Sequence, residues 1–321
     1  MKMILLGTGT SHGIPCIACH CHVCTSQDLH DKRFRCSAYV SNQNKNGSVS
    51  HLQVDVGPEF RLQCLKYNIE SIDAVLLTHS HADHLHGLDD IRVFSHTTGS
   101  DKIEQYLKDN PENAGVNPQL LARALSGKPL NVYANRQTVK DVEERFSYIF
   151  KKNTQIGGGK PNLNLVDCED ILKNPPEEFG DLIVTPIPLI HGRLDDTGWL
   201  FSCKNENDGK MHSIAYLTDT SFVPQSSIEL LQEKGGIIEH CVIDGLRVKP
   251  HSTHFGFRQA MEVAEQIKPR HTWFVHICHL MTHVEIQNYT DEQLSDFPNL
   301  LEIVNNGGSV GPGYDGLVLE A

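Results

Sequence analysis

Four side chains that commonly bind metal ions fall within six residues, His79-Ser80-His81-Ala82-Asp83-His84, directly after the apolar run DAVLLT. A sharp loop leaving a strand can turn His79 and His81 to one side and Asp83 and His84 to the other. That arrangement suits two cations roughly 3.5–4 Å apart, the spacing of two-metal hydrolases. Imidazole and carboxylate donors suit zinc, manganese or iron, whereas a thiolate-rich site favours zinc alone. A histidine-rich surface loop is the plainer alternative, and the strand before the loop counts against it.

A second group, Cys16, Cys19, Cys21 and Cys24 in CIACHCHVC, packs four thiols into nine residues. Three or four thiolates make a tetrahedral zinc site of the structural kind, closed to substrate. A redox or fortuitous cluster is the alternative. Cys36, Cys64, Cys168, Cys203 and Cys241 stand alone and read as small core residues. His20 and His22 lie between the thiols as exposed bystanders.

The run THSHADHLHGL resembles the HxHxDH signature of the metallo-β-lactamase superfamily. The resemblance implies an α/β fold, a four-layer αββα sandwich, and further metal ligands in order along the chain. His191 in PIPLIHG matches the third histidine of the first metal. Asp219 in AYLTDTS matches the carboxylate bridging both metals, and His276 in WFVHICH the last ligand of the second. The spacing Cys19-x-Cys21-x₂-Cys24 resembles the CxCxxC of a narrower branch, the PhnP-like cyclic phosphodiesterases. The opening GTGTSHGIP is similar to the same branch. There a histidine three residues after the last catalytic-metal histidine completes a structural zinc, and here that residue is His279. Cys16 is the rival for this fourth position, with Cys278 and His283 weaker rivals.

The branch also carries a histidine for substrate contact and general-acid work, matched here by His254 in RVKPHSTHFGF. The competing reading makes His254 a cap for a helix starting near Phe257. The catalytic set implied is Asp83, Asp219 and His254, acting with a hydroxide generated at two divalent metals. Histidine is a sensible proton donor near neutral pH, and the cations would steady the phosphoryl oxygens. His251 and Arg247 are looser candidates for phosphate contact. His12 and Arg92 are further candidates of this kind, and for each of the four a surface ion pair is the simpler account.

The elements that must position these groups follow from apolar runs and turn residues. Strands are predicted at Lys2–Leu6, Ser37–Val40, Leu52–Val56, Ile72–Thr78, Leu130–Tyr133, Leu182–Pro186, Trp199–Ser202, Ser213–Thr218, Cys241–Asp244 and Thr272–His276. Helices are predicted at Leu85–Phe94, Thr138–Phe150, Ser226–Glu233 and Phe257–Ile267, with Thr138 and Asp141 fitting a capping box. Strands alternating with helices favour sites at strand ends. The whole chain, 1–321, reads as a single domain. An insertion at about 99–128 carries two short helical patterns, and a loop-rich segment spans about 151–176.

The bulk composition narrows the function. A net charge of −12 argues against general nucleic-acid affinity, and bound cations can still favour a small phosphate. The first residues, MKMILLGTGTS, are too short an apolar run for a signal peptide or a membrane span, so a cytoplasmic protein is expected. The leading expectation is a hydrolase of a small or cyclic phosphodiester, with two catalytic divalent metals and one structural zinc. A homodimer is open. A tRNA 3′-end-type endonuclease and a thioester or lactam hydrolase are alternatives on the same fold. A non-catalytic metal-binding interaction module is the alternative of another class.

Overall fold

In the computed structural model, residues 1–95, 128–151 and 160–321 are described, with a few isolated positions between 105 and 115. The predicted insertion at 99–128 and the glycine run at 157–159 therefore lie almost wholly outside the described residues.

Among the described residues, thirteen strands form two sheets. In chain order they are β1 (Lys2–Gly7), β2 (Ser37–Gln43), β3 (Val49–Val54), β4 (Ala74–Leu76), β5 (Leu130–Ala134), β6 (Leu163–Asp167), β7 (Ile183–His191), β8 (Leu194–Lys204), β9 (Met211–Leu217), β10 (Ile237–Asp244), β11 (His271–Val275), β12 (Ser309–Pro312) and β13 (Val318–Glu320). The first sheet runs β13-β1-β2-β3-β4-β5-β6 and the second β12-β11-β10-β9-β8-β7. Each sheet has an antiparallel part and a parallel part. β13, β1, β2 and β3 alternate in direction, and β3 to β6 run parallel. Likewise β7, β8 and β9 alternate, and β9 to β12 run parallel.

The apolar strands are continuous because both faces of each sheet are covered. Ala74 and Leu76 of β4 enter the core between the sheets, while Val75 and Leu77 pack outward under helices. Val242 of β10 faces the same inter-sheet core, and Cys241 and Ile243 face the outer helices. Trp199, Phe201 and Tyr216 fill the middle layer. Three apolar cores in series therefore give the αββα sandwich.

Among the described residues the α-helices are α1 (His22–Thr25), α2 (Phe60–Tyr67), α3 (Ala82–Leu85), α4 (Arg136–Arg145), α5 (Ser147–Phe150), α6 (Gln225–Gly235), α7 (Phe257–Ile267), α8 (His283–Gln293) and α9 (Pro298–Asn305). In α7 the buried residues Phe257, Ala260, Met261, Ala264 and Ile267 recur every three or four positions, so one stripe faces the second sheet.

Several predicted bounds need correction. The expected helix at Leu85–Phe94 is a single turn, α3, followed by a 3₁₀ stretch over Leu88–Phe94. The expected Thr138/Asp141 capping box is absent, because the helix begins earlier. Asn135 is the cap and accepts from the Thr138 N–H at 2.9 Å. That helix also stops at Arg145, with α5 as a separate turn. Inside the segment expected to be loop-rich, Leu163–Asp167 pairs in parallel with β5 and closes the sheet edge.

Candidate metal centre

The side chains singled out in sequence collect at one edge of the sandwich, where strands of both sheets end. His79 follows β4, His191 ends β7, Asp219 follows β9, Asp244 ends β10 and His276 follows β11. A strand exit leaves a side chain free of the ladder while the sheet fixes its origin.

Their donor atoms form two groups, each within 4.8 Å: His79, His81 and His191, and Asp83, His84, Asp219 and His276. The split of the His79–His84 loop into two directions is thus the observed one. Asp219 lies between the groups, with Oδ2 at 3.7 Å from His79 Nε2 and 3.2 Å from His84 Nε2, and Oδ1 at 3.4 Å from His276 Nε2. The Nε2 atoms of His79, His84 and His276 are buried with no hydrogen-bond partner. Buried ring nitrogens without partners are costly. A converging set of imidazole lone pairs and carboxylates is what a divalent cation requires, so the residues present fit the metals expected for them.

Local backbone strain serves this convergence. Asp55, Asp219 and His276 have φ near 57°, 54° and 59°, three of the six non-glycine residues with positive φ among the described residues. Each such residue costs about 1 to 3 kcal/mol and is held by its surroundings. Asp55, missed in the sequence reading, accepts from the Thr78 backbone N–H at 2.9 Å and pairs with His84 Nδ1 at 2.7 Å. That contact turns His84 Nε2 toward Asp219 and Asp83. His191 Nδ1 donates to the Thr253 carbonyl at 2.7 Å and so presents Nε2 in the same way. From α4, Asp141 accepts from the Ser80 hydroxyl and Arg145 donates to the Ser80 carbonyl, gripping the metal loop one turn apart. Gly57 is needed beneath the loop, since a Cβ there would lie 2.1 Å from the Asp83 carbonyl oxygen.

Electrostatics follow burial. Burial pushes His79 well below its usual value and lowers His191 to about 4, holding both neutral and ready to ligate. Burial also opposes the charged form of His84, yet Asp219, Asp83 and Asp55 outweigh it and raise that histidine well above normal. A divalent cation seated on Nε2 competes with that proton.

His254 sits against the carboxylate-bearing group. Its ring stacks on His276 with centroids 4.3 Å apart, and Nδ1 pairs with Asp244 Oδ2 at 2.7 Å. It does not cap α7, whose N-cap is Gly256. Burial lowers the His254 pKa. Asp244, also missed in sequence, accepts from the Thr220 backbone N–H at 2.9 Å. The motif HSTH carried no sign of Asp244, which ends β10 ten residues before His254.

The looser candidates are not drawn in. Arg247 donates to the carbonyls of Lys249 and Pro250, bracing its own loop. His251 is exposed, with Nδ1 3.1 Å from Thr253 Oγ1, and its ring lies 5.3 Å from that of His254. His12 is exposed, and Arg92 pairs with Asp89.

The cysteine cluster closes on the expected histidine. Cys19, Cys21 and Cys24 Sγ lie 3.3, 3.5 and 3.5 Å from His279 Nδ1. Cys16 stays outside the group, its thiol donating to the Gly13 carbonyl, and neither Cys278 nor His283 belongs to it. The backbone N–H of Cys24, ahead of burial in effect, lowers the Cys21 thiol to about 6, which favours thiolate and hence a cation.

The β-lactamase superfamily domain matches residues 51–125 and 118–277. A diphosphatase of the PhnP family is 31% identical, with a TM-score of 0.70 covering 100% of this chain and 97% of that one. Zinc-bound PqqB from Methylobacterium extorquens shares the fold at 16% identity, with a TM-score of 0.65 over the whole of both chains. A Porphyromonas gingivalis protein named octanoyltransferase is 33% identical over 280 residues, 87% of this chain but only 46% of the relative, so the chain spans under half of that protein. No described helix is long and apolar enough to cross a membrane. With the converging donors and the sandwich that positions them, these matches establish that the chain belongs to the metallo-β-lactamase superfamily of metal-dependent hydrolases.

Proposed function

We propose that the chain hydrolyses a small phosphodiester, cyclic or linear, at the paired donor groups. The observation that carries this reading is the shared carboxylate. Asp219 lies between two sets of ligands, with the Asp244–His254 pair against one of them. Two divalent cations held there supply water of lowered pKa and a positive field for phosphoryl oxygens. His79, His81 and His191 would hold one ion, and Asp83, His84 and His276 the other, with Asp219 shared. Cys19, Cys21, Cys24 and His279 would hold a structural zinc.

The chain's own residues then do three things. The positive-φ backbone at Asp219 and His276 keeps the donors converged before substrate arrives. Asp244 orients His254 through Nδ1, leaving Nε2 to give its proton to the leaving oxygen as the P–O bond breaks. The phosphodiester's negative charge, with Asp244, favours the protonated imidazole that burial alone opposes. The relative with 31% identity is a diphosphatase, which supports phosphoryl chemistry and favours a second reading, cleavage of a P–O–P anhydride. The transferase name belongs to a protein of which this chain matches under half, and it does not carry an acyl acceptor into this cleft.

The experiment compares bis(p-nitrophenyl) phosphate, a cyclic nucleotide, a diphosphate, a thioester and precursor RNA as substrates for the metal-loaded protein. Phosphodiester turnover should exceed the others, and His254→Ala should lower it about 10²- to 10⁴-fold with metal content unchanged. Preferential thioester or RNA turnover, or full activity in His254→Ala, overturns the reading.

A further inference from the structure

The two donor groups are unequal in charge. Asp83 and Asp219 stand among the donors of one, while His79, His81 and His191 bring no charge of their own. Directly behind His79, on β8, lies Asp196, whose side chain is fully buried and which neither motif contains. Both of its carboxylate oxygens lack a hydrogen-bond partner, and Oδ1 is 3.5 Å from His79 Nδ1. The neighbouring Thr197 N–H donates to the Thr78 carbonyl at 3.1 Å, which pins this part of β8 to the strand exit carrying His79.

A buried carboxylate with no donor costs several kcal/mol unless an opposite charge compensates it. No strand partner supplies that charge. The Nδ1–H of His79 points between Thr78 Oγ1, at 3.0 Å, and Asp196. Thr78 Oγ1 also lies 3.0 Å from Asp55 Oδ2 and gives its own proton there, so it accepts from His79. The imidazole is thus fixed with its proton on Nδ1 and its lone pair on Nε2, facing the cluster. We propose that Asp196 is a positioning residue for the ion at His79, His81 and His191: it secures that orientation from behind and, with a cation seated there, would supply the negative charge the three histidines lack. The inference rests on the assignment of a cation to those histidines.

Manganese is the probe, because a hard cation disfavours the thiolate cluster. The chelated full chain and its Asp196→Asn and Asp196→Val variants are titrated with Mn²⁺ against a competing chelator, bound ions are counted by mass spectrometry, and thermal unfolding of the ion-free proteins is followed. The wild type should take up two ions. In Asp196→Asn one of them should bind about 10- to 100-fold more weakly, and the other should be unchanged. Ion-free Asp196→Val should unfold no lower than ion-free wild type, since an unpartnered buried carboxylate has been replaced by an apolar side chain. Unchanged affinity for both ions in Asp196→Asn overturns the proposal. So does a weakening matched by an equal loss of ion-free stability in both variants, which is what a packing role alone would give. If His79→Ala leaves Mn²⁺ uptake at the wild-type level, the cation assignment itself falls, and this proposal with it.

Discussion

Two histidine-rich regions occupy different parts of the sandwich and behave in opposite ways. Away from the cleft, His212 is bracketed by Glu239 and Asp208, each at 2.8 Å. His240 contacts the Glu320 carbonyl and accepts from the Trp273 indole, and His271 Nδ1 lies 2.8 Å from Ser309 Oγ. The His240 and His271 rings also stack, with centroids 5.0 Å apart against 4.3 Å for His254 and His276 in the cleft. At the strand exits, by contrast, His79, His84 and His276 each keep a buried Nε2 with no hydrogen-bond partner. Histidine density alone marks neither region. The distinguishing feature is a lone pair that the protein aims inward and leaves unanswered.

The sharpest way to break this comparison is to remove one unanswered nitrogen. His276→Ala should lower bis(p-nitrophenyl) phosphate turnover by about 10³-fold or more, with loss of bound metal measured in parallel. Retention of both metal and turnover would remove the contrast between the regions. A smaller but still large effect is expected beneath the metal loop. Gly57→Ala places a methyl carbon 2.1 Å from the Asp83 carbonyl oxygen, so backbone must move. Denaturant unfolding should show about 3 kcal/mol of lost stability, and metal affinity should fall with it because Asp83 shifts.

The cleft was largely legible because its ligands are sequence-local or end strands with a clear apolar run. DAVLLT before His79 and WFV before His276 announce both the strand and its exit. Asp55, Asp196 and Asp244 were not legible. Asp55 and Asp196 act on histidines of the loop after β4, Asp244 acts on one ten residues along its own connection, and nothing in VDVGP, LDDTG or VIDGL says which ring each will meet. The fold's inner layers were readable for the same reason as the ligands, since strands covered on both faces are uniformly apolar. The edges were not. β6 reads LNLVD, half polar and half-exposed along its length, and nothing in it distinguishes an edge strand from a loop. The turn at Ala82–Leu85 was overextended because Leu88, Ile91 and Phe94 continue an apolar repeat that 3₁₀ geometry also satisfies.

Buried polar groups that do have partners provide the milder tests. Asp315 accepts from Thr8 Oγ1 at 2.8 Å and the Phe34 N–H at 2.6 Å, yet burial lifts its pKa from 3.8 to about 6. Below about pH 4 the carboxyl is protonated in both folded and unfolded chains. Between about 4 and 6 the unfolded chain has released that proton and the folded chain has not, so stability falls as pH rises through this window and levels off above it. Unfolding of wild type and Asp315→Asn across pH 3.5 to 7 should differ in slope only there, by about 2 to 3 kcal/mol in total. A constant difference across the range would mean that the contacts to Thr8 and Phe34 matter and the titration does not.

The smallest effect tests the other half of the comparison. His212 has both ring nitrogens engaged by carboxylates that are themselves partly exposed. Solvent screens such pairs, so His212→Gln should cost about 1 kcal/mol in denaturant unfolding. Because every lone pair there is already answered by protein, the same variant should bind as much metal as wild type and hydrolyse bis(p-nitrophenyl) phosphate within about twofold of it. A drop in bound metal on this substitution would make the far histidines a second cation site. The rule separating the two regions, partner against no partner, would then fail at its least expected point.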